Sequence, residues 1–195
     1  MILIGYVVGS IPFGYLAGRL RGIDLMAVGS GNIGATNVLR TLGVTWAVPV
    51  LVLDAAKGVL SAYAGTVLLP GMPQWGAVAG AGAALAGHTW SVFLRFRGGK
   101  SAATGAGALL YLMPRVVAVT LLAFTVTVAV TRYVSLGSIV GATVAVTAAL
   151  VTPNPLPFRL LVVAGGILIV VRHRSNIARL LAGTENRLGQ KAGRS

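Results

Sequence analysis

Stretches of about twenty apolar residues recur along this chain, and they dictate the solvent in which it folds. Residues 45–69 carry only Asp54 and Lys57 as charges, 136–151 carry none, and 156–172 carry only Arg159 and Arg172. In hydrocarbon every backbone polar group must be satisfied internally, so such stretches must be helices. Charged residues make up 10% of the 195 positions, too few to clothe a water-facing surface. The expectation is an all-α integral membrane protein, a single membrane domain over 1–195. It has about seven transmembrane helical segments: 2–20, 45–69, 74–94, 101–113, 114–134, 136–151 and 156–172. The segment 101–113 is short for an upright span. Residues 173–195 read as a basic tail opening with a short interfacial helix. Gly5/Gly9, Gly14/Gly18, Gly76/Gly80 and Gly137/Gly141 are spaced to let helix backbones approach closely.

Orientation follows from the cations. With seven crossings, one side receives thirteen basic residues: Arg19, Arg21, Arg40, the Arg95–Lys100 loop, Arg132 and everything basic from Arg172 onward. The other receives Arg115 and Arg159, while Lys57 lies inside a span. That bias places the N-terminus outside, the C-terminus in the cytoplasm, and the polar loops on the cytoplasmic face of the cell inner membrane. The net charge of +13 is therefore a membrane-orientation signal and not a nucleic-acid footprint. The first helix lacks a basic leader, so no cleaved signal peptide is expected.

Three polar clusters interrupt the apolar pattern. The first, Gly29 to Arg40, contains Ser30, Gly31, Asn32, Gly34, Thr36 and Asn37. Its G-x-G-x-x-G spacing is not a dinucleotide fingerprint, because no strand or βαβ unit surrounds it. A glycine-rich turn opening a helix that ends near Arg40 is an anion seat; the plain alternative is a capped re-entrant turn. The second cluster is Arg95 to Thr104, preceded by Gly87-His88, with Gly98, Gly99 and Lys100 at its centre. Leu94 stands where a P-loop needs glycine, and no acidic partner is evident, so nucleotide hydrolysis is not supported. Lys100 at a helix start is a phosphate ligand by type, whereas Arg95 and Arg97 fit ordinary snorkelling cations. His88 reads either as a site residue or as a hydrogen bond between helices. The third cluster runs from Arg172 to Asn186, with His173 and Asn176 on one helix face. Ser135 and Ser138 start a helix on the same side, where N-capping is the plain reading.

The acids are Asp24, Asp54 and Glu185 alone, and cysteine is absent. Dicarboxylate catalysis, carboxylate metal centres and thiolate chemistry are thereby excluded. Asp54 and Lys57 are spaced to neutralise each other within a span. Neither histidine precedes an aspartate at the spacing of soluble acyltransferases. The chemistry has to run on cations, hydroxyls, amides and a histidine, with no cofactor and no metal.

Taken together, these pieces resemble the bacterial acyl-phosphate-dependent glycerol-3-phosphate acyltransferases, an integral membrane family. The resemblance rests on Gly9–Gly14, Gly29–Gly43, Leu53-Asp54 with Lys57-Gly58, Gly87-His88, Gly98-Gly99-Lys100, Tyr133–Leu136 and His173–Glu185, in the family's order. One departure is that Ser101-Ala102 follows Lys100, where the family reads Gly-Val. The resemblance implies transfer of a fatty acyl group from acyl phosphate to the 1-hydroxyl of glycerol 3-phosphate, giving lysophosphatidic acid and phosphate without a covalent acyl-enzyme. It implies catalytic roles for Ser30, Arg40, His173 and Asn176. It matches Gly98, Gly99 and Lys100 to the glycerol 3-phosphate contacts, adds Ser138 to the site and makes Glu185 structural; the local chemistry of the first loop adds Gly31, Asn32, Thr36 and Asn37 as phosphate contacts. The resemblance also implies coupling to an enzyme that supplies acyl phosphate. The proton acceptor is either His173 or a substrate phosphate. Rival readings are a transporter or channel for phosphate or glycerol phosphate, and a lipid-binding scaffold.

Overall fold

A computed structural model describes residues 1–190. Lys191 and Arg194, counted above among the basic residues, lie outside the described residues. Ten α-helices follow one another: α1 (Ile2–Ser10), α2 (Phe13–Leu20), α3 (Ala35–Leu42), α4 (Val44–Leu68), α5 (Pro73–Thr89), α6 (Ala102–Leu112), α7 (Pro114–Thr131), α8 (Val134–Val151), α9 (Leu156–Arg172) and α10 (Arg174–Leu181). All seven expected segments are helical, and both short additions, α3 and α10, sit where polar clusters were read.

Four boundaries differ from expectation, one of them the end of α7 at Thr131 and not at 134. The segment 2–20 breaks at Pro12, which has no N–H to continue the ladder. Helix α5 ends at Thr89 and not at 94. Beyond it the chain folds into a small hairpin, with a Ser91–Arg97 bridge, a 3-10 turn at Val92–Leu94, and Arg95 and Phe96 in the left-handed region. Helix α8 starts at Val134, which brings Ser135 inside the helix.

Among the described residues, four stretches are long and apolar enough to cross a membrane: Ile2–Leu20, Val44–Leu68, Pro114–Thr131 and Val134–Val151. A fifth is α9 with α10, bent by 54° between them. Helices α5 and α6 are shorter, at 17 and 11 residues. The exposed leucines, valines and isoleucines along α1, α4 and α7 agree with a lipid-facing exterior.

Helices α1, α4, α5 and α6 pack as one group, and α7, α8 and α9 as another. The groups join where α6 meets α7 and where α9 lies against α5 and α6. Small residues permit the close approaches that hydrocarbon cannot drive. A Cβ at Gly9 would sit 2.3 Å from the Ala84 carbonyl oxygen, and one at Gly80 would sit 2.0 Å from that of Ser61. Lys57, buried in α4, pairs with Asp54 at 2.8 Å as the spacing predicts. Its Nζ also donates to the Ile11 carbonyl at 3.1 Å, an oxygen left without a helical partner by the break at Pro12.

Candidate active site

The three polar clusters converge on one cavity of about 320 Å³ between the two helix groups. Ser30, Asn32, Thr36, Asn37, Arg40, Lys100, Ser138, His173, Asn176 and Glu185 all line it. The rest of the wall is mostly apolar and comes largely from α6 to α9, including Leu109, Phe124, Ala145, Val162 and Ile169. Leu51 and Asp54 of α4 and Leu85 and His88 of α5 complete it, with Ser101, Thr120 and Ser135 as further polar groups.

Glu185 is the hub. Its Oε1 accepts from Ser135 Oγ at 2.9 Å and from Asn176 Nδ2 at 2.7 Å, and its Oε2 accepts from Arg179 Nε at 2.7 Å. Burial acts to raise the carboxyl's pKa, but hydrogen bonds from Asn176, Ser135 and Arg179 outweigh it and hold the group below its ordinary value. Because Glu185 takes the Asn176 NH₂, the amide oxygen faces inward and accepts from Lys100 Nζ. The chain Glu185–Asn176–Lys100 thus fixes the lysine from a helix seventy-six positions away. Burial lowers the Lys100 pKa to about 8, and the neighbouring Arg179, Arg40 and Arg172 push in the same direction against Glu185. A dianionic ligand would restore the charge.

His173 sits at the corner between α9 and α10. Its Nδ1 lies 2.7 Å from the Ile169 carbonyl. A carbonyl only accepts, so Nδ1 carries the proton and Nε2 is left as an acceptor. Burial first, and Lys100 second, lower its pKa to about 4, so the ring is neutral near pH 7. Arg40, near the end of α3, donates through Nη2 to the Asn186 carbonyl at 3.2 Å.

The glycine-rich loops differ from the expected N–H cradles. Gly29 and Gly31 have φ of +62° and +65°, the left-handed turns that favour glycine. Yet the Ser30 N–H donates to Asn37 Oδ1, the Gly31 N–H to Val28, and the Gly34 N–H to Asn32 Oδ1. Asn37, expected among the phosphate contacts, is 1% exposed, and its Nδ2 donates to Leu25 and Val28 carbonyls. It shapes the loop. In the second cluster the Gly99 N–H is likewise taken, by the His88 carbonyl at 2.9 Å. The groups left to face an anion are the side chains of Ser30, Thr36, Arg40 and Lys100 and the NH₂ of Asn32, together with the first-turn residues Ala35 and Ala102–Ala103 of α3 and α6, whose N–H groups have no helical partner.

Three positioning residues escaped the sequence reading. Ser135 was read as a cap but bonds Glu185, fifty positions on. Arg172 donates to the Gly99 and Gly98 carbonyls, both at 3.3 Å, and so clamps the second loop to α9. Arg179 holds the outer oxygen of Glu185. The clustering of arginines after residue 171 was the available signal. Ser138 lines the cavity while its hydroxyl donates to the Val134 carbonyl at 3.0 Å.

Known proteins resemble the chain along nearly its full length. The sequence profile of the family described as Glycerol-3-phosphate acyltransferase matches residues 1–183. A Glycerol-3-phosphate acyltransferase from Symbiobacterium thermophilum is 48% identical over 190 residues, covering 97% of this chain and 94% of the relative. One from Rippkaea orientalis is 44% identical over 201 residues, covering 98% and 93%. Among solved structures, the glycerol 3-phosphate form of PlsY, an integral membrane glycerol 3-phosphate acyltransferase, superposes with a TM-score of 0.91 at 37% identity, covering 96% and 94%. Its lysophosphatidic acid form gives 0.87 at 36%, covering 96% and 93%. The chain therefore has the all-helical, multi-pass integral membrane fold of that enzyme. The chain belongs to the glycerol-3-phosphate acyltransferase family.

Proposed function

We propose that this chain transfers a fatty acyl group from acyl phosphate to the 1-hydroxyl of glycerol 3-phosphate, releasing lysophosphatidic acid and inorganic phosphate at the cytoplasmic face. The observation that carries the proposal is the cavity itself: cations at a polar mouth, continuous with an apolar trough between α6 and α9. That pairing suits a substrate with a phosphate head and a hydrocarbon tail. The likeness to structures solved with glycerol 3-phosphate and with lysophosphatidic acid supports the same substrate and product here.

Glycerol 3-phosphate binds through Lys100 and the start of α6, with Ser138 beside it. Acyl phosphate binds through Arg40, Ser30, Asn32 and Thr36, its chain lying along Phe124, Ala145 and Val162. The hydroxyl oxygen attacks the acyl carbon, the carbon–oxygen bond to phosphate breaks, and phosphate leaves with the electron pair. Arg40 and Lys100 stabilise the negative charge that develops. A substrate phosphate oxygen takes the hydroxyl proton: a ring with a pKa of about 4 is a weak base. His173 instead accepts through Nε2 and orients the hydroxyl. Acyl phosphate is already activated, so no acyl-serine on Ser30 is required.

The chain acts as one membrane unit over residues 1–195, with seven crossings, the N-terminus outside and the C-terminus in the cytoplasm. It draws acyl phosphate from a neighbouring enzyme and glycerol 3-phosphate from water. Purified protein in lipid, given both substrates, will release phosphate and form lysophosphatidic acid in equal amounts. Intact substrates after incubation would refute the reading, and an acyl group trapped on Ser30 would refute direct transfer.

A further inference from the structure

Beneath the phosphate loop, where Asp54 and His88 form part of the wall of the same cavity, lies a second polar group to which the reaction above gives no role. His88, on the last turn of α5, is 5% exposed; Asp54 and Lys57, on α4, are each 2% exposed. His88 Nδ1 faces Asp54 Oδ1 at 3.6 Å and has no hydrogen-bond partner among the described residues. Asp54 is held in turn by Lys57 at 2.8 Å, and Lys57 is anchored on the Ile11 carbonyl and over the Phe13 ring. A buried carboxylate and ammonium placed beside a histidine are too costly to be packing filler.

The other edge of the ring decides what the group is for. A side chain on Gly99 would meet His88 Nε2 at 2.1 Å, so the imidazole occupies the space where residue 99 would carry its Cβ. The Gly99 N–H donates to the His88 carbonyl, and a Cβ on Gly98 would lie 2.2 Å from that same oxygen. Residue 88 therefore touches both glycines immediately before Lys100, through its ring and its backbone.

We propose that His88, set by the buried Asp54–Lys57 pair, is a positioning residue that fixes the Gly98–Gly99–Lys100 loop at the height needed to meet the phosphate of glycerol 3-phosphate. The proposal rests on the functional reading above. It also explains the two glycines: a Cβ would run into the imidazole at Gly99 and into the residue-88 carbonyl at Gly98.

The experiment is steady-state kinetics on purified protein in lipid, with each substrate varied in turn. His88→Ala raises KM for glycerol 3-phosphate by about tenfold or more, and leaves kcat and KM for acyl phosphate within about threefold. His88→Asn, whose amide reaches toward Asp54 but not toward Gly99, behaves in the same way. His88→Gln, which extends to the Nε2 position, restores much of the affinity. Asp54→Asn moves KM in the same direction by a smaller factor. A size swap supplies a second readout: Gly99→Ala alone is more impaired than Gly99→Ala combined with His88→Ala, because the new methyl then finds room. Unchanged KM for glycerol 3-phosphate in His88→Ala, or a loss shared equally by both substrates, would overturn the proposal. So would a Gly99→Ala defect indifferent to residue 88. Should His88→Ala fail to fold, the contrast between His88→Asn and His88→Gln decides. A wild-type protein without phosphate release refutes the functional reading, whereas an active wild type with unmoved variants refutes only this inference.

Discussion

Ser101 has φ of +58°, in the left-handed region where a Cβ is crowded by the following carbonyl. The resembling family carries glycine at this point, and the backbone explains why. The serine compensates with its hydroxyl, which is buried, shares a hydrogen bond with Thr89 Oγ1 at 2.7 Å and donates to the Leu85 carbonyl at 2.9 Å. Strain and hydrogen bonds are each worth about 1 kcal/mol, so Ser101→Gly is expected to leave stability within about 1 kcal/mol of the parent. Ser101→Ala keeps the strain, loses both bonds, and is expected to cost about 2 kcal/mol; unfolding midpoints in detergent measure both. Two neighbours carry pH and activity predictions. On the proposed reading Lys100 must be charged to hold phosphate, and its pKa of about 8 means the charge is lost as pH rises through that value. The kcat/KM for glycerol 3-phosphate should therefore fall above about pH 8, and Lys100→Arg should abolish that limb wherever the variant retains activity. If the ring orients and does not abstract the proton, as proposed, His173→Ala should lower kcat by about a hundredfold without reaching background. A complete loss with normal binding of both substrates would return the proton to the histidine.

The strap after α10 is tied down by Glu185. That residue joins α8 through Ser135 and α10 through Asn176 and Arg179, and two residues later Arg187 lies over the Tyr133 ring at 5.4 Å. Its carboxyl titrates below the ordinary value, so the contribution it makes to stability is present above the unfolded Glu pKa of about 4.3 and is lost as pH falls through the folded value. Removing one partner from a buried charged network costs about 3–5 kcal/mol. Glu185→Ala should show that loss as a lowered unfolding midpoint, with activity failing alongside because Asn176 and Lys100 lose their anchor. At this scale the sequence was readable where the signal was local. Hydropathy marked α4 and α6 to within a residue or so, and Pro114 announced the start of α7. It was silent where partners are far apart. Nothing near Ser135 points to a carboxylate fifty positions on, and glycine-rich composition alone could not tell an N–H cradle from a loop whose N–H groups are already bonded.

Across the whole molecule, the proposed orientation, argued from the cations, would account for reactive groups sunk within the bundle. Helix α6 has 11 residues, which reach about 16 Å against a hydrocarbon core of about 30 Å. In the proposed orientation, which puts Met113 and Pro114 toward the outer surface, Lys100 and the start of α6 would end well inside the bilayer, and water would have to follow them in from the cytoplasmic side. Such a recess lets glycerol 3-phosphate arrive from solution while an acyl chain stays among α6 to α9. It also accounts for the shortness of α6, which a hydropathy window flags only as an anomaly. The absence of cysteine makes this testable without background. Single cysteines at Gly71 and Asn154, in the α4–α5 and α8–α9 loops, should react with an impermeant maleimide added outside intact cells. Cysteines at Ala27, Phe96 and Thr184 should react only after the membrane is opened. Ala102→Cys, at the first turn of α6, should react from the opened side and be protected by glycerol 3-phosphate. Labelling of Phe96→Cys from outside would reverse the orientation. Failure of Ala102→Cys to react from the cytoplasmic side in an active protein would remove the water-filled recess and leave the short helix without its reason.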